Sequence, residues 1–230
     1  MMSDRENFIK LFFDIADSLL SRAKVTRPKI ISLGEYMSYR QLPFWREDDL
    51  RISGFAYDGS SASVIVKNYK IAPEKRSAVH ETAHHLLRQK NPFIKKYIEA
   101  STELRRKLDD LNGYLQYWKK LFEEGFAIWF TSMNDDKTKR EMDSYQLILD
   151  KLRRDEEPSK DEYWSIGGEN RPYIYGYDFF DKIAKAFGED ITFDFAMSIC
   201  PTQEAMEFAY GKACKSLGTK DIISFKNYLS

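Results

Sequence analysis

The chain holds three histidines, and all of them stand in "SAVHETAHHLLRQKNP", residues 77–92. His80 and His84 are four residues apart. On an α-helix that spacing puts both side chains on one face, about a turn apart, so the two imidazoles can aim nitrogens at one point. Neutral imidazole binds zinc at about 2.0–2.1 Å, and a catalytic zinc needs only three protein ligands plus one position for water. Glu81 follows the first of these histidines, where its carboxylate can take a proton from that water and later pass it to a leaving amine. The same letters also describe an amphipathic helix with incidental histidines, and a third ligand is what separates the two readings.

With no histidine left, that ligand must be a carboxylate. "LFEEGFAIWF" offers one on an aromatic-rich segment: Tyr117, Leu121, Glu124 and Ile128 share a face at helical spacing. Glu124 is then an acid on an otherwise apolar stripe, which is costly unless something pairs with it, and a metal would. Glu123 points about 100° away and reads as solvated or as a support behind the site. His85 is turned by the same angle from His84, so it faces away from the metal as a buried polar group.

Several elements must position these groups. A Ser3 to Glu6 capping box starts a helix over about residues 4–24. "RPKIISL", "EYMSYRQLPF", "DLRISGFAYDG" and "SASVIVKNY" are short, β-branched or aromatic and punctuated by Pro, Gly and Ser, which predicts a small sheet between about residues 28 and 69. From Pro73 the pattern is helical. The expected helices are one over 73–90, a charged one over 93–111, the aromatic one over 114–132 and another charged one to about Asp155. After the turn-rich "EEPSKDEYWSIGGENRP", helices resume near Tyr173, with breaks at Gly188, Pro201 and Gly218. A strand-bearing lobe, about 1–72, feeding a helical lobe, 73–230, is an α+β architecture within one 230-residue domain.

"HETAH" followed by "EEGFA" resembles the gluzincin metallopeptidases, in particular the catalytic domain of aminopeptidase-N type enzymes, whose pattern runs HExxH and then NEGFA. The resemblance implies that the Glu before Gly-Phe-Ala, here Glu124, is the third zinc ligand. The family's later PYxxG segment is matched by "RPYIYGYDFF" at 171–180, which implies that Tyr173 steadies the tetrahedral intermediate. Thirty-nine residues lie between His84 and Glu124, about twice the aminopeptidase spacing, so the small minigluzincin type is the nearer architecture. The implied fold is zincin-like: a small mixed sheet, a mostly helical lobe, and the active site between them. On this plan "SASVIVK" is the edge strand before the zinc helix, and Ser63, Val64 and Ile65 align an extended substrate by strand addition. The GxMEN strand that grips a substrate amino terminus has no counterpart in "YDGSSASVIVKNY".

The expected activity is that of a peptidase holding one Zn²⁺ per chain, cutting peptides or unfolded proteins internally with a water activated by Glu81. The rival expectation, from another class, is a zinc-bearing regulatory or binding protein with little turnover on the same scaffold. Lys+Arg and Asp+Glu are equal at 36 each, which removes the general electrostatic argument for nucleic acid. Cys200 and Cys214 form no CxxC and fit a reducing cytoplasm. The most apolar early run, "FIKLFFDIADSLL", is broken by Lys10, Asp14 and Asp17, so neither a secretory signal nor a membrane span is expected.

Overall fold

The computed structural model describes residues 2–40, 55–58, 62–100, 104, 107, 115–167 and 170–222, and the chain divides into two compact units, Met1–Lys90 and Asn91–Ser230. Helices predominate, and the described strands form one small mixed sheet, so the architecture is broadly α+β.

The first unit runs α1 (Asp4–Arg22), β1 (Lys29–Ser32), α2 (Leu33–Arg40), β2 (Phe55–Asp58), β3 (Ser63–Val66) and α3 (Lys75–Lys90). The predicted capping box opens α1: the Ser3 amide donates to Glu6 Oε2 at 2.8 Å and the Glu6 amide to Ser3 Oγ at 3.3 Å. Phe8 and Phe12 of α1 meet Phe55 of β2 edge to face, with ring centroids 5.5 and 5.9 Å apart. Val79, Ala83, Leu86 and Leu87 of α3 are buried, which is the periodicity expected of the helix over 73–90.

Two expectations change here. The sheet order is β1-β3-β2, with β1 parallel and β2 antiparallel to β3, so "SASVIVK" supplies the central strand and not the edge. Ser63, Val64 and Ile65 are buried between two partners and have no open side to which a substrate strand could add. An unbroken Ser-Val-Ile-Val run without alternation is what a strand covered on both faces requires. The second change concerns "EYMSYRQLPF", whose first part lies in α2 and not in a strand. Ser32 and Glu35 explain it as another Ser-x-x-Glu start: the Ser32 amide donates to Glu35 Oε2 at 2.6 Å, and the Glu35 amide to Ser32 Oγ at 3.1 Å. The rest of that segment, like residues 49–54 of "DLRISGFAYDG", lies outside the described residues.

The second unit holds α4 (Pro92–Glu99), α5 (Leu115–Ser132), α6 (Asp136–Arg153), α7 (Lys160–Ser165), α8 (Arg171–Phe187), α9 (Glu189–Ser198) and α10 (Gln203–Leu217). Of the charged helix expected over 93–111, α4 is the described part; 101–103, 105–106 and 108–111 lie outside the described residues. Asn91 is fully buried and works in two directions. Its Oδ1 caps the Phe93 and Ile94 amides, while its Nδ2 donates to the Ala196 and Ile199 carbonyls at 2.8 Å each, joining α4 to the end of α9. Gly188 at φ 98° and Gly218 at φ 65° take the turns after α8 and α10 that a side chain resists.

α5 and α8 cross at Gly125 and Gly176. A Cβ on Gly125 would stand 2.4 Å from the Gly176 backbone, and one on Gly176 would stand 2.4 Å from the Leu121 carbonyl oxygen. Phe180 lies beside this crossing, with its ring centroid 5.1 Å from Phe122, 5.7 Å from Phe126 and 5.9 Å from Trp129. Behind it, Arg153 donates to both Asp178 oxygens at 2.5 and 2.6 Å, and the Tyr210 hydroxyl donates to the same carboxylate. A buried charge is tolerated there because each partner satisfies another.

Gly176→Ala should therefore destabilise the protein. The methyl adds about 1 kcal/mol of helix propensity, but overpacking typically costs about 1–3 kcal/mol and more against rigid backbone. A net loss of about 2 kcal/mol or more is expected in urea unfolding, and a midpoint equal to wild type would contradict the close crossing.

Candidate metal centre

The histidine pair is built by α3 alone. His80 and His84 lie one turn apart with their Nε2 atoms 3.1 Å from each other and their rings nearly perpendicular, at 82°. Two nitrogens sharing a tetrahedral zinc at about 2.0–2.1 Å would stand about 3.3 Å apart. The observed separation fits that arrangement, and it also suits an N–H···N bond between unlike tautomers. His84 is buried and His80 half-buried.

Glu81 lies between these histidines in sequence but faces β2. Its Oε2 accepts the Tyr57 backbone N–H at 2.7 Å. His85 is buried and turned from the pair, as expected. Its Nε2 lies 2.8 Å from the Thr26 carbonyl oxygen and its Nδ1 lies 3.0 Å from the Tyr57 hydroxyl. A carbonyl can only accept, so Nε2 carries the proton; Nδ1 of the neutral ring then accepts from Tyr57. Burial pushes the His85 imidazole down from its ordinary range, and the Thr26 carbonyl opposes this.

Glu124 and Tyr173 belong to the second unit. Glu124 precedes Gly125 on α5, and Tyr173 stands three residues before Gly176 on α8, so the glycine crossing brings the segments carrying both residues together. Tyr173, half-buried, lies in the first turn of α8, directly after Pro172. Tyr175 and Tyr177 are buried, in keeping with their reading as packed aromatics, and burial pushes the Tyr177 hydroxyl above its ordinary range with Asp181 adding to the effect. Of the two readings of Glu123, solvated or supporting behind the site, burial removes the first: it is buried and accepts from Lys119 at 2.7 Å one turn back on α5. That Lys119 amino group also lies 5.4 Å from the Tyr97 ring centroid. The i,i+4 Lys119–Glu123 spacing was visible in the sequence and carries this pairing.

Imidazole nitrogens, as on His80 and His84, and a carboxylate, as on Glu124, are donor types that could hold a metal ion. Tyr57 is the residue that sequence reasoning missed. It reads as an ordinary strand aromatic, and nothing in its local pattern announces that its amide meets Glu81. No family model, curated protein or solved structure matches the chain.

Proposed function

We propose that the chain is a zinc-dependent peptidase of gluzincin type, with a zincin-like fold, acting in the cytoplasm on extended peptides or unfolded protein. The observation that carries this reading is the 3.1 Å separation of the His80 and His84 Nε2 atoms on one face of α3, next to a carboxylate at Glu81. His80, His84 and Glu124 would hold the ion. Bound there, zinc supplies a Lewis acid that acidifies water and polarises a carbonyl. Glu81 receives the proton of the attacking water on a carboxylate oxygen and returns it to the departing amine. The Tyr173 hydroxyl donates a hydrogen bond to the oxygen on which charge develops. No covalent intermediate with the chain is needed.

The reading includes internal cleavage. "YDGSSASVIVKNY" has no counterpart of the GxMEN glutamate that grips a free amino terminus, Asp58 being its one acid, and that absence favours cutting within a chain. The deciding experiment incubates zinc-loaded protein and its Glu81→Gln variant with a peptide library, half of it acetylated at the amino terminus, and reads products by mass spectrometry. Internal cuts by wild type alone, in both halves, are expected. Loss of all cutting on acetylation would make the enzyme an aminopeptidase, and bound zinc without any cutting would favour the regulatory reading.

Metal analysis of purified protein should give one zinc ion per chain. His80→Ala, His84→Ala and Glu124→Ala should each lose most of it, while Glu123→Ala should keep it because that carboxylate is taken by Lys119. Zinc lost from Glu123→Ala but kept by Glu124→Ala would reverse the assignment.

Tyr173→Phe removes one hydroxyl and should leave zinc content and thermal stability intact, with kcat lower by about two to three orders of magnitude. Unchanged turnover would remove Tyr173 from the mechanism.

A further inference from the structure

Glu81, His85 and Arg88 form one stripe along α3, at i, i+4 and i+7, and all three meet a single residue of β2. Glu81 takes the Tyr57 backbone N–H at 2.7 Å. His85 takes the Tyr57 hydroxyl at 3.0 Å, and the Arg88 guanidinium lies 5.5 Å from the Tyr57 ring centroid. The Tyr57 and His85 rings also meet edge to face, with centroids 5.3 Å apart. His85 is fixed in turn by its bond to the Thr26 carbonyl at 2.8 Å, in the segment between α1 and β1. A continuous chain therefore runs from the Thr26 carbonyl through His85 and Tyr57 to one oxygen of Glu81.

We propose that Tyr57 and His85 are positioning residues for the Glu81 carboxylate. The proposal rests on the reading of Glu81 as the base. A glutamate side chain has three rotatable bonds, and a base works only when one oxygen is held towards the proton it receives. The amide on a paired strand is a rigid donor, and a bond from it to a carboxylate is charge-assisted. Tyr57 Cα stands opposite Val64, and its neighbours Ala56 and Asp58 stand opposite Ile65 and Ser63, so β3 sets the height of that amide. The distance of β2 from α3 is set by the other end of the same residue, where the hydroxyl meets His85. With Oε2 anchored, Oε1 is the oxygen left to work. The third histidine of "HETAHH" thus acts on the chemistry through Tyr57, although its ring faces away from the metal.

A purely structural bolt between β2 and α3 would use the same contacts, so the test must read Glu81 locally. Amide hydrogen exchange at residue 57 is measured by NMR in the metal-free full chain, for wild type, Glu81→Ala, Tyr57→Phe and His85→Gln. Exchange about tenfold faster at residue 57 in each variant is expected, as for loss of one local hydrogen bond, with the Val64 and Ile65 amides unchanged. Tyr57→Phe loaded with zinc should show kcat lower by about tenfold at unchanged KM and zinc content. Wild-type protection at residue 57 in Tyr57→Phe, or equal acceleration across β3, would overturn the proposal; so would a loss that appears in KM alone. Should His85→Gln not fold, Tyr57→Phe decides by itself. A wild-type chain that binds no zinc and cuts no peptide would remove the base reading, while exchange at residue 57 still decides whether Tyr57 and His85 fix Glu81.

Discussion

Gly125 and Gly176 face each other with no room for a methyl group on either, and the second unit is arranged around that contact. Two helices that touch through backbone bring their neighbouring side chains into one layer, so Phe122 and Phe126 of α5 reach Phe179 and Phe180 of α8 without long side chains to bridge a gap. The same closeness limits where polar groups can go. On α8, Asp178 is buried and is satisfied by Arg153 and Tyr210, while on α5 Glu123 is buried and is satisfied by Lys119. Asp178 and Glu123 each have such a partner, and breaking a buried pair typically costs about 3–5 kcal/mol. The glycines that permit this packing are the ones beside Glu124 and Tyr173, so packing and the proposed chemistry use the same short segments.

Much of this was legible in the sequence, for identifiable reasons. The Ser3–Glu6 box, the apolar spacing of α3 and the aromatic run of α5 are local signals, and each element formed where its signal stood. His80 and His84 were legible because four residues is a geometric statement on any helix. What failed depended on partners. Ser63–Val66 carries strand character, but whether a strand is central or outer is decided by β1 and β2, which both precede it in sequence and flank it in the sheet. Two more Ser-x-x-Glu starts, at Ser32 and at Ser159, are hidden by aromatic and turn-rich letters around them that suggest strand and loop. Both are as explicit as the box at Ser3, and they start α2 and α7.

The circumference of α3 shows why the pattern of a half-buried helix describes it poorly. Val79, Ala83, Leu86 and Leu87 go to the core of the first unit. His80 and His84 form a second stripe, and Glu81, His85 and Arg88 a third, turned about 100° from it. A helix in this setting keeps little of its central surface for water, although Glu, His and Arg make its composition polar. Polar residues are expected to mark a solvated face when each helix has one apolar side. Here they mark faces with assigned partners: an imidazole against an imidazole, a carboxylate on a strand amide, an imidazole between a hydroxyl and a carbonyl. A histidine that is 1% exposed and bonded at both nitrogens has a fixed tautomer, and a fixed tautomer gives Tyr57 a fixed hydroxyl direction. The orientation of Glu81 is thus traced to the Thr26 carbonyl, fifty-five residues earlier in the chain, which no window of local sequence could contain.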